Sequence, residues 1–516
     1  MKKMMVVGGL CAFAMGVSAA EFTFAPNVEP KPVTMSVESN TLVRLDRDQT
    51  VTIACAEGSE QAKEWAEARF EEWFRLTKTG WLFPSVNAPR VVVVPAAFAG
   101  ESVAGGDEAY ELTARPEGVK VRANTLQGVR YALYTLRQTM IAMPRDVRKV
   151  GWYAMPALKV ADAPAMKFRG IHLGWYVNRT TPESIEKRLR LAAYLKYNYA
   201  VIEPWGTFRS ERHPWWGWKE GTMTPAVTRK LVKLGKELGI TLIPQIPAFG
   251  HASMGITSPG RHAVMDAHGE YAPLFESLNG WNWCLSNPET LKVQFEIIDE
   301  LMALFDNPPY LHIGCDEPAK PNCPRCLAAD YRALTIKHIT ALRDGLKARG
   351  ATPMLWHDYF IKKRDPKWPG SVANGTDESI TILDELPRDM VICDWVYGLK
   401  CPESNYASLK YFKEKGFEVV SCPCHKIDCT MAQGASVRKL GLKGMLVTTW
   451  GYGQGKEKGK VFGDTFAGGA AAAWGSTYEE TPLWKWHYDL DLIRNLRDVV
   501  HDMELEAYND TGTYLD

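Results

Sequence analysis

The chain carries almost no net charge, +1 from 61 basic and 60 acidic side chains in 516 residues. That balance gives no electrostatic reason to expect a nucleic acid or an anionic membrane surface as a partner. Beyond residue 20 there is no apolar run long enough to cross a bilayer, so no membrane insertion is expected. No glycine-rich loop follows any strand-like stretch, which counts against an open nucleotide-binding sheet. Cysteine is sparse, 11 in all, and a chain this long does not need disulfides to hold its core. What remains is ordinary globular composition, 46% hydrophobic and 23% charged, with material for two or three domains. Tryptophan is the exception: 18 are present, many beside turn residues. Its ring face stacks on sugars as readily as it fills a core.

The N-terminus has the form of a secretory signal peptide over residues 1–20. Met1-Lys2-Lys3 is basic, Met4 to Val17 is apolar, and Val17-Ser18-Ala19-Ala20 offers small residues for cleavage. The mature protein is therefore expected to be periplasmic or secreted. Two cysteine groups stand out in it, Cys323-Pro-Arg-Cys326 and Cys422-Pro-Cys424-His425 with Cys429 nearby. They are compatible with disulfides, with a structural zinc site or with free thiols. The one-residue gap between Cys422 and Cys424 is unusual for zinc, and no metal or cofactor is expected.

From residue 21 to 165 strands and helices mix without a reactive cluster, reading as a small α+β domain. From 166 to 478 the rhythm becomes strand, helix, strand, helix. Strands are expected at Phe168–Val177, Tyr199–Trp205, Thr241–Phe249, Tyr310–Cys315, Thr352–Phe360, Met390–Tyr397, Glu418–Pro423 and Gly444–Tyr452. Eight such units over this length predict a (β/α)8 barrel of parallel strands, with residues 479–516 packing on it as a helical segment.

In that fold the C-terminal strand ends build the active site. Those ends hold Tyr176 and Asn178, Glu203 and Trp205, His251, Asp316 and Glu317, Trp356 to Asp358, Asp394 to Tyr397, His425 and Asp428, and Trp450 to Tyr452. A ring of acids, histidines and tryptophans at successive strand ends suits a carbohydrate pocket better than packing. The adjacent Asp316 and Glu317 are the sharpest feature, because like charges side by side repel unless something uses them.

His312-Ile-Gly-Cys-Asp316-Glu317 resembles the His-x-Gly-x-Asp-Glu motif of glycoside hydrolase family 20, the exo-β-N-acetylhexosaminidases. Phe168-Arg169-Gly170, Phe249-Gly250-His251 and Leu285-Ser-Asn-Pro288 are similar to further stretches of that family, in the same order. Gly118-Val119 and Thr125-Leu-Gln-Gly128 resemble its non-catalytic companion domain. Tyr199-Ala-Val-Ile-Glu203 stands where better-known members have His-x-His, and Trp450-Gly451 is followed by Tyr452 where many have Glu. These departures look more like the branch resembling hexosaminidase D than the lysosomal one.

The resemblance implies Glu317 and Asp316 as catalytic residues and a glycan with a terminal N-acetylhexosamine as substrate. It also implies that Arg169 grips sugar hydroxyls. By position, His251, Glu203, Trp356, Asp358, Trp395, Tyr397, Trp450 and Tyr452 are expected to line the substrate site. Neighbouring carboxylates on one strand end are poorly placed to straddle a sugar, as the usual nucleophile–acid pair ~5 Å apart must. A substrate whose 2-acetamido oxygen is the nucleophile removes that need. Glu317 is then the acid–base and Asp316 the partner of the acetamide. Two rivals stay open: a decayed sugar-binding protein on the same scaffold, and a two-carboxylate retaining glycosidase for sugars without an acetamide.

Overall fold

The computed structural model describes residues 28–45, 50–76, 90–95, 103–146, 149–176, 180–217, 221–253, 264, 268–276, 280–397, 406–424, 426–450 and 466–476. The expected signal peptide, the 479–516 segment, Asn178, His425 and Tyr452 lie outside these residues.

The N-terminal part is a mixed sheet of β1 (Thr34–Leu45), β2 (Thr50–Cys55), β3 (Arg90–Pro95), β4 (Tyr110–Arg115), β5 (Gly118–Ala123), β6 (Ile141–Asp146) and β7 (Lys149–Asp162), with α1 (Ser59–Leu76) and α2 (Leu126–Thr139). The strand order is β1-β7-β4-β5-β2-β3, with β6 also on β7. β4 and β5 form a hairpin, antiparallel from Tyr110↔Ala123 to Arg115↔Gly118. β7, the strand that joins β1 to β4, was not expected; its Pro156, which cannot donate to a ladder, sits where the β1 register shifts.

α2 is buried at Gly128, Val129 and every position from Tyr131 to Thr139, unlike a surface helix with one apolar stripe. The reason is that it lies between the sheet and the second domain. Gly128 makes this possible, since a Cβ there would meet the Ala109 carbonyl oxygen at 2.6 Å.

The second domain contains eight parallel strands: β8 (Phe168–Tyr176), β9 (Tyr199–Trp205), β10 (Thr241–Pro244), β11 (Tyr310–His312), β12 (Thr352–Trp356), β13 (Val391–Asp394), β14 (Glu418–Ser421) and β15 (Gly444–Thr448). They pair in order around the sheet, and β15 returns to β8. The circle closes between β10 and β11, where Gln245 bridges His312 and the Ile246 N–H donates to the His312 carbonyl at 2.8 Å. This is the expected (β/α)8 barrel. Its interior is filled by Phe168, Val201, Ile243, Met354, Trp356, Val391, Cys393, Val420, Cys422 and Leu446. Parallel strands covered on both faces read as near-continuous apolar runs, which is why they were visible in the sequence.

The helices are α3 (Pro182–Tyr194), α4 (Pro225–Leu238), α5 (Pro288–Leu304), α6 (Pro324–Leu327), α7 (Tyr331–Ala348), α8 (Ser379–Ile382), α9 (Ala407–Glu414), α10 (Ile427–Leu440) and α11 (Gly468–Trp474). Thr181, Thr224 and Asn287 each cap an N-terminus with a side-chain oxygen and are followed by proline at the first helical position, so these starts are written locally. α10 was not expected, because its first turn overlaps the cysteine-rich stretch and no side chain caps it. The fifth unit keeps only the single-turn α8. Among the described residues no helix is long and apolar enough to cross a membrane.

The N-terminal ends of the barrel strands face the first domain through a buried polar cluster. Asp162 accepts from the Lys196 ammonium (3.0 Å), the Tyr110 hydroxyl (2.6 Å) and the Trp474 indole N–H (2.7 Å). The side chains of both Lys196 and Asp162 are fully buried. Removing one member of such a pair leaves an uncompensated buried charge. Asp162→Ala should therefore lose about 3–5 kcal/mol in urea unfolding. A loss under about 1 kcal/mol would show that water reaches this junction.

Candidate active site

Past His312 the chain leaves the regular strand. Ile313 and Gly314 still bond to β12, through Ile313 N to the Met354 carbonyl and Trp356 N to the Gly314 carbonyl, both 2.8 Å. Gly314, Cys315 and Glu317 then take positive φ values of +68°, +72° and +44°. A continued strand would alternate His312, Gly314 and Asp316 onto one face; this does not occur, because a left-handed backbone breaks the two-residue period. His251 (+56°) and Trp450 (+32°) are also left-handed. Such conformations cost on the order of 1–3 kcal/mol each for non-glycine residues and persist only where surroundings enforce them.

The enforcing contacts are specific. The Glu317 N–H donates to Asp358 Oδ2 at 2.9 Å, and the Trp281 indole N–H donates to the Glu317 carbonyl at 2.7 Å. On the inner side Gly250 lies so close that a Cβ would stand 2.2 Å from the Asp316 carbonyl oxygen. The glycine of Phe249-Gly250-His251 is therefore a packing requirement of the acidic loop.

This backbone sends the two carboxylates different ways. The Asp316 side chain is 4% exposed and that of Glu317 is 44% exposed. Both reach one atom: His251 Nε2 lies 3.2 Å from Asp316 Oδ2 and 3.4 Å from Glu317 Oε2. Burial disfavours the charged imidazole, but the Asp316 and Glu317 carboxylates outweigh it and hold the His251 pKa up to about 10. His251 is thus a cation at neutral pH, and Trp281 packs on its ring at 4.2 Å. Behind the loop, burial and then the Asp316 charge push Asp358 up to about 7. Its Oδ2 also accepts from Asn374 Nδ2 at 2.9 Å.

An aromatic wall stands beside the acids. Trp356, Trp395 and Trp450 lie with ring centroids 5.2–5.6 Å apart, pair by pair. The Trp450 indole N–H donates to the Tyr397 hydroxyl, which also pairs with Thr448 Oγ1 at 3.0 Å. The indole N–H groups of Trp205, Trp356 and Trp395 are buried without a protein acceptor. Buried donors of this kind favour a polar ligand.

Not every expected residue faces this pocket. Arg169 is corrected outright. It lies at the N-terminal end of β8, its side chain 1% exposed, with its guanidinium bonded to both Glu108 oxygens at 2.8 Å and to the Tyr131 hydroxyl at 2.6 Å. Those partners belong to the first domain, so Arg169 locks the domains together at the end of the barrel opposite Asp316. Glu203 is inside the barrel, bonded to His172 Nε2 at 2.7 Å and to Gln245 Nε2. Asp358 braces the Glu317 backbone from a fully buried position.

Sequence reasoning missed Trp281, Asn374, His172 and Gln245; none belongs to a motif, and each is recognisable only by its through-space partner. The two cysteine groups do not meet either. Cys422 fills the barrel interior and Cys424 is buried as a free thiol, while Cys429 is in a disulfide.

The model for "Glycosyl hydrolase family 20, catalytic domain" matches residues 184–485, and that for its domain 2 matches residues 25–163. The chain belongs to glycosyl hydrolase family 20. It is similar to the β-hexosaminidase of Porphyromonas gingivalis, 24% identical over 409 residues, covering 73% of this chain and 49% of that one. It is also similar to the lacto-N-biosidase of Bifidobacterium bifidum, 26% identical over 324 residues, covering 61% of this chain and 27% of that protein. The chain thus spans about half or less of these relatives' lengths. Among solved structures, the family 20 exo-β-N-acetylglucosaminidase of Vibrio harveyi superposes with a TM-score of 0.66 at 18% identity, covering 96% of this chain and 79% of that one. The β-N-acetylhexosaminidase of Bacteroides fragilis does so with a TM-score of 0.64 at 18% identity, covering 91% and 95%. At that identity the superpositions speak for the fold.

In this family 20 chain the His251 cation has a pH signature. Its pKa is raised from 6.5 to about 10, so the stability it contributes is fully present below 6.5 and is lost as pH rises through 10. The stability gap between the wild type and His251→Gln should narrow across that window, and NMR should find the imidazole still protonated at pH 8. A neutral ring at pH 8 would contradict the assignment. Gly250→Ala should lower turnover about 100-fold by displacing the acidic loop, with the fold unchanged by circular dichroism.

Proposed function

We infer that the protein is an exo-acting glycoside hydrolase releasing terminal β-linked N-acetylhexosamine, with the substrate's own acetamide as nucleophile. The observation that carries the reading is the single imidazole shared by an inward-facing Asp316 and an outward-facing Glu317. Both acids are on one wall, so they are poorly placed to work from opposite faces of a sugar. Their unequal exposure suits unequal tasks.

Glu317, open to the pocket, donates its proton to the departing glycosidic oxygen as the C–O bond breaks. The acetamide oxygen forms a bond to the anomeric carbon, giving an oxazolinium. Glu317 then takes a proton from water, which opens that ring with net retention. Asp316 accepts the acetamide N–H and stabilises the positive charge that develops there. His251 lowers the cost of keeping Asp316 ionised in a buried place. Trp356, Trp395 and Trp450 wall the acetamide, with the Tyr397 hydroxyl at their edge. The signal-like segment 1–20 supports export to where free glycans occur.

An aryl 2-acetamido-2-deoxy-β-glucoside or -galactoside tests this. Glu317→Gln should lower kcat by about 10²–10⁴-fold, and Asp316→Asn should lose most turnover while remaining folded. Equal cleavage of the plain glucoside would favour a two-carboxylate mechanism. Release no faster than that of Glu317→Gln would favour a sugar-binding protein.

A further inference from the structure

Next to the acidic loop the fold gathers side chains from separate parts of the chain that the pocket does not use. Cys323 and Cys326 bracket the start of α6, Cys284 follows Trp283, and Glu276 lies on the opposing arm of that loop. The arms are held together by Cys284 N to the Leu274 carbonyl (2.8 Å) and Glu276 N to the Asn282 carbonyl (2.9 Å). All four side chains are buried, and one ligand atom from each falls within 4.8 Å of the others.

The sulfur spacing discriminates between the chemistries open to three neighbouring cysteines. Cys284 Sγ is 3.6 Å from Cys323 Sγ and 3.7 Å from Cys326 Sγ. A disulfide requires about 2.05 Å. A tetrahedral zinc ion with Zn–S near 2.3 Å places its sulfurs about 3.8 Å apart. Supporting contacts follow the same pattern. The Cys326 N–H donates to Cys323 Sγ at 3.3 Å, and Arg325 Nη2 donates to Cys284 Sγ at 3.6 Å, so both sulfurs are held by donors from the same short turn. Glu276 Oε2 accepts from Cys323 N (2.8 Å) and Asn322 N (2.9 Å), while its Oε1 is buried without a protein partner. That leaves one carboxylate oxygen as the fourth donor.

We propose that Cys284, Cys323, Cys326 and Glu276 form a structural Zn²⁺ site that fastens the Glu317-bearing loop to the loop carrying Trp281. Three soft thiolates and one carboxylate in a closed tetrahedral set select zinc over hard cations and leave no position for a bound water. The fastening runs in parallel with the paired bonds between Asn282 and Ala319 (2.6 and 3.0 Å) and the Trp281 bond to the Glu317 carbonyl. The site is independent of the sugar chemistry, so it stands or falls separately from the proposed activity.

Protein purified from zinc-supplemented growth and measured by inductively coupled plasma mass spectrometry should hold one zinc per chain. Cys284→Ser and Cys326→Ser should lower that to background. Stripping the wild type with a chelator should lower its melting temperature, and Zn²⁺ alone should restore it. Co²⁺ added to stripped wild-type protein should give thiolate-to-cobalt charge transfer, an arm that does not depend on the variants folding. Absence of both retained zinc and the cobalt band overturns the proposal, as does a disulfide between any two of the three cysteines in the intact protein. Unchanged zinc content in folded serine variants overturns it as well.

Discussion

The left-handed turn of backbone from Gly314 to Glu317 is the constraint on which the site depends. It lets two consecutive side chains leave the end of one strand in different directions, one into the protein and one into the pocket. Two non-glycine residues in that conformation cost on the order of 1–3 kcal/mol each. The bond from the Glu317 N–H to a carboxylate contributes roughly 1.5–3 kcal/mol in return. The absent side chain at Gly250 lets the neighbouring loop close against the Asp316 carbonyl. Asp358, Trp281 and Gly250 hold the Asp316–Glu317 turn in place.

The electrostatics follow from that geometry. One buried imidazole between two carboxylates is protonated because their combined attraction exceeds the cost of its burial. His251 Nε2 lies 3.2 Å from Asp316 Oδ2, in a place where only 4% of the Asp316 side chain is exposed. Asp358, fully buried behind the loop, has its pKa pushed up to about 7 by that burial and then by the Asp316 charge.

The two ends of the barrel are divided between tasks. At the N-terminal end, Arg169, Lys196 and Asp162 make buried, fully bonded contacts between the domains. At the C-terminal end, loops carry strained residues and indole N–H groups lacking protein partners.

Much of this was legible in the sequence. The strand–helix rhythm of apolar runs is a local signal, so it predicted the eight units, and the Thr-Pro and Asn-Pro helix starts seen in the structure are local too. The Asp316-Glu317 pair is likewise local and needed no structure to be noticed. Arg169 shows the limit of the motif: the expected strand Phe168–Val177 already put it at the end away from the acids, and only the fold shows its partners to be Glu108 and Tyr131 of the first domain. β7 and α10 have no counterpart among the elements expected from the sequence: β7 carries Pro156 where its register with β1 shifts, and α10 starts within the cysteine-rich stretch with no side-chain cap. Only the folded chain brings Cys284 and Glu276 to Cys323 and Cys326, and His251 to both acids. Residues far apart in sequence become neighbours through barrel closure and loop packing, which no short-range pattern encodes.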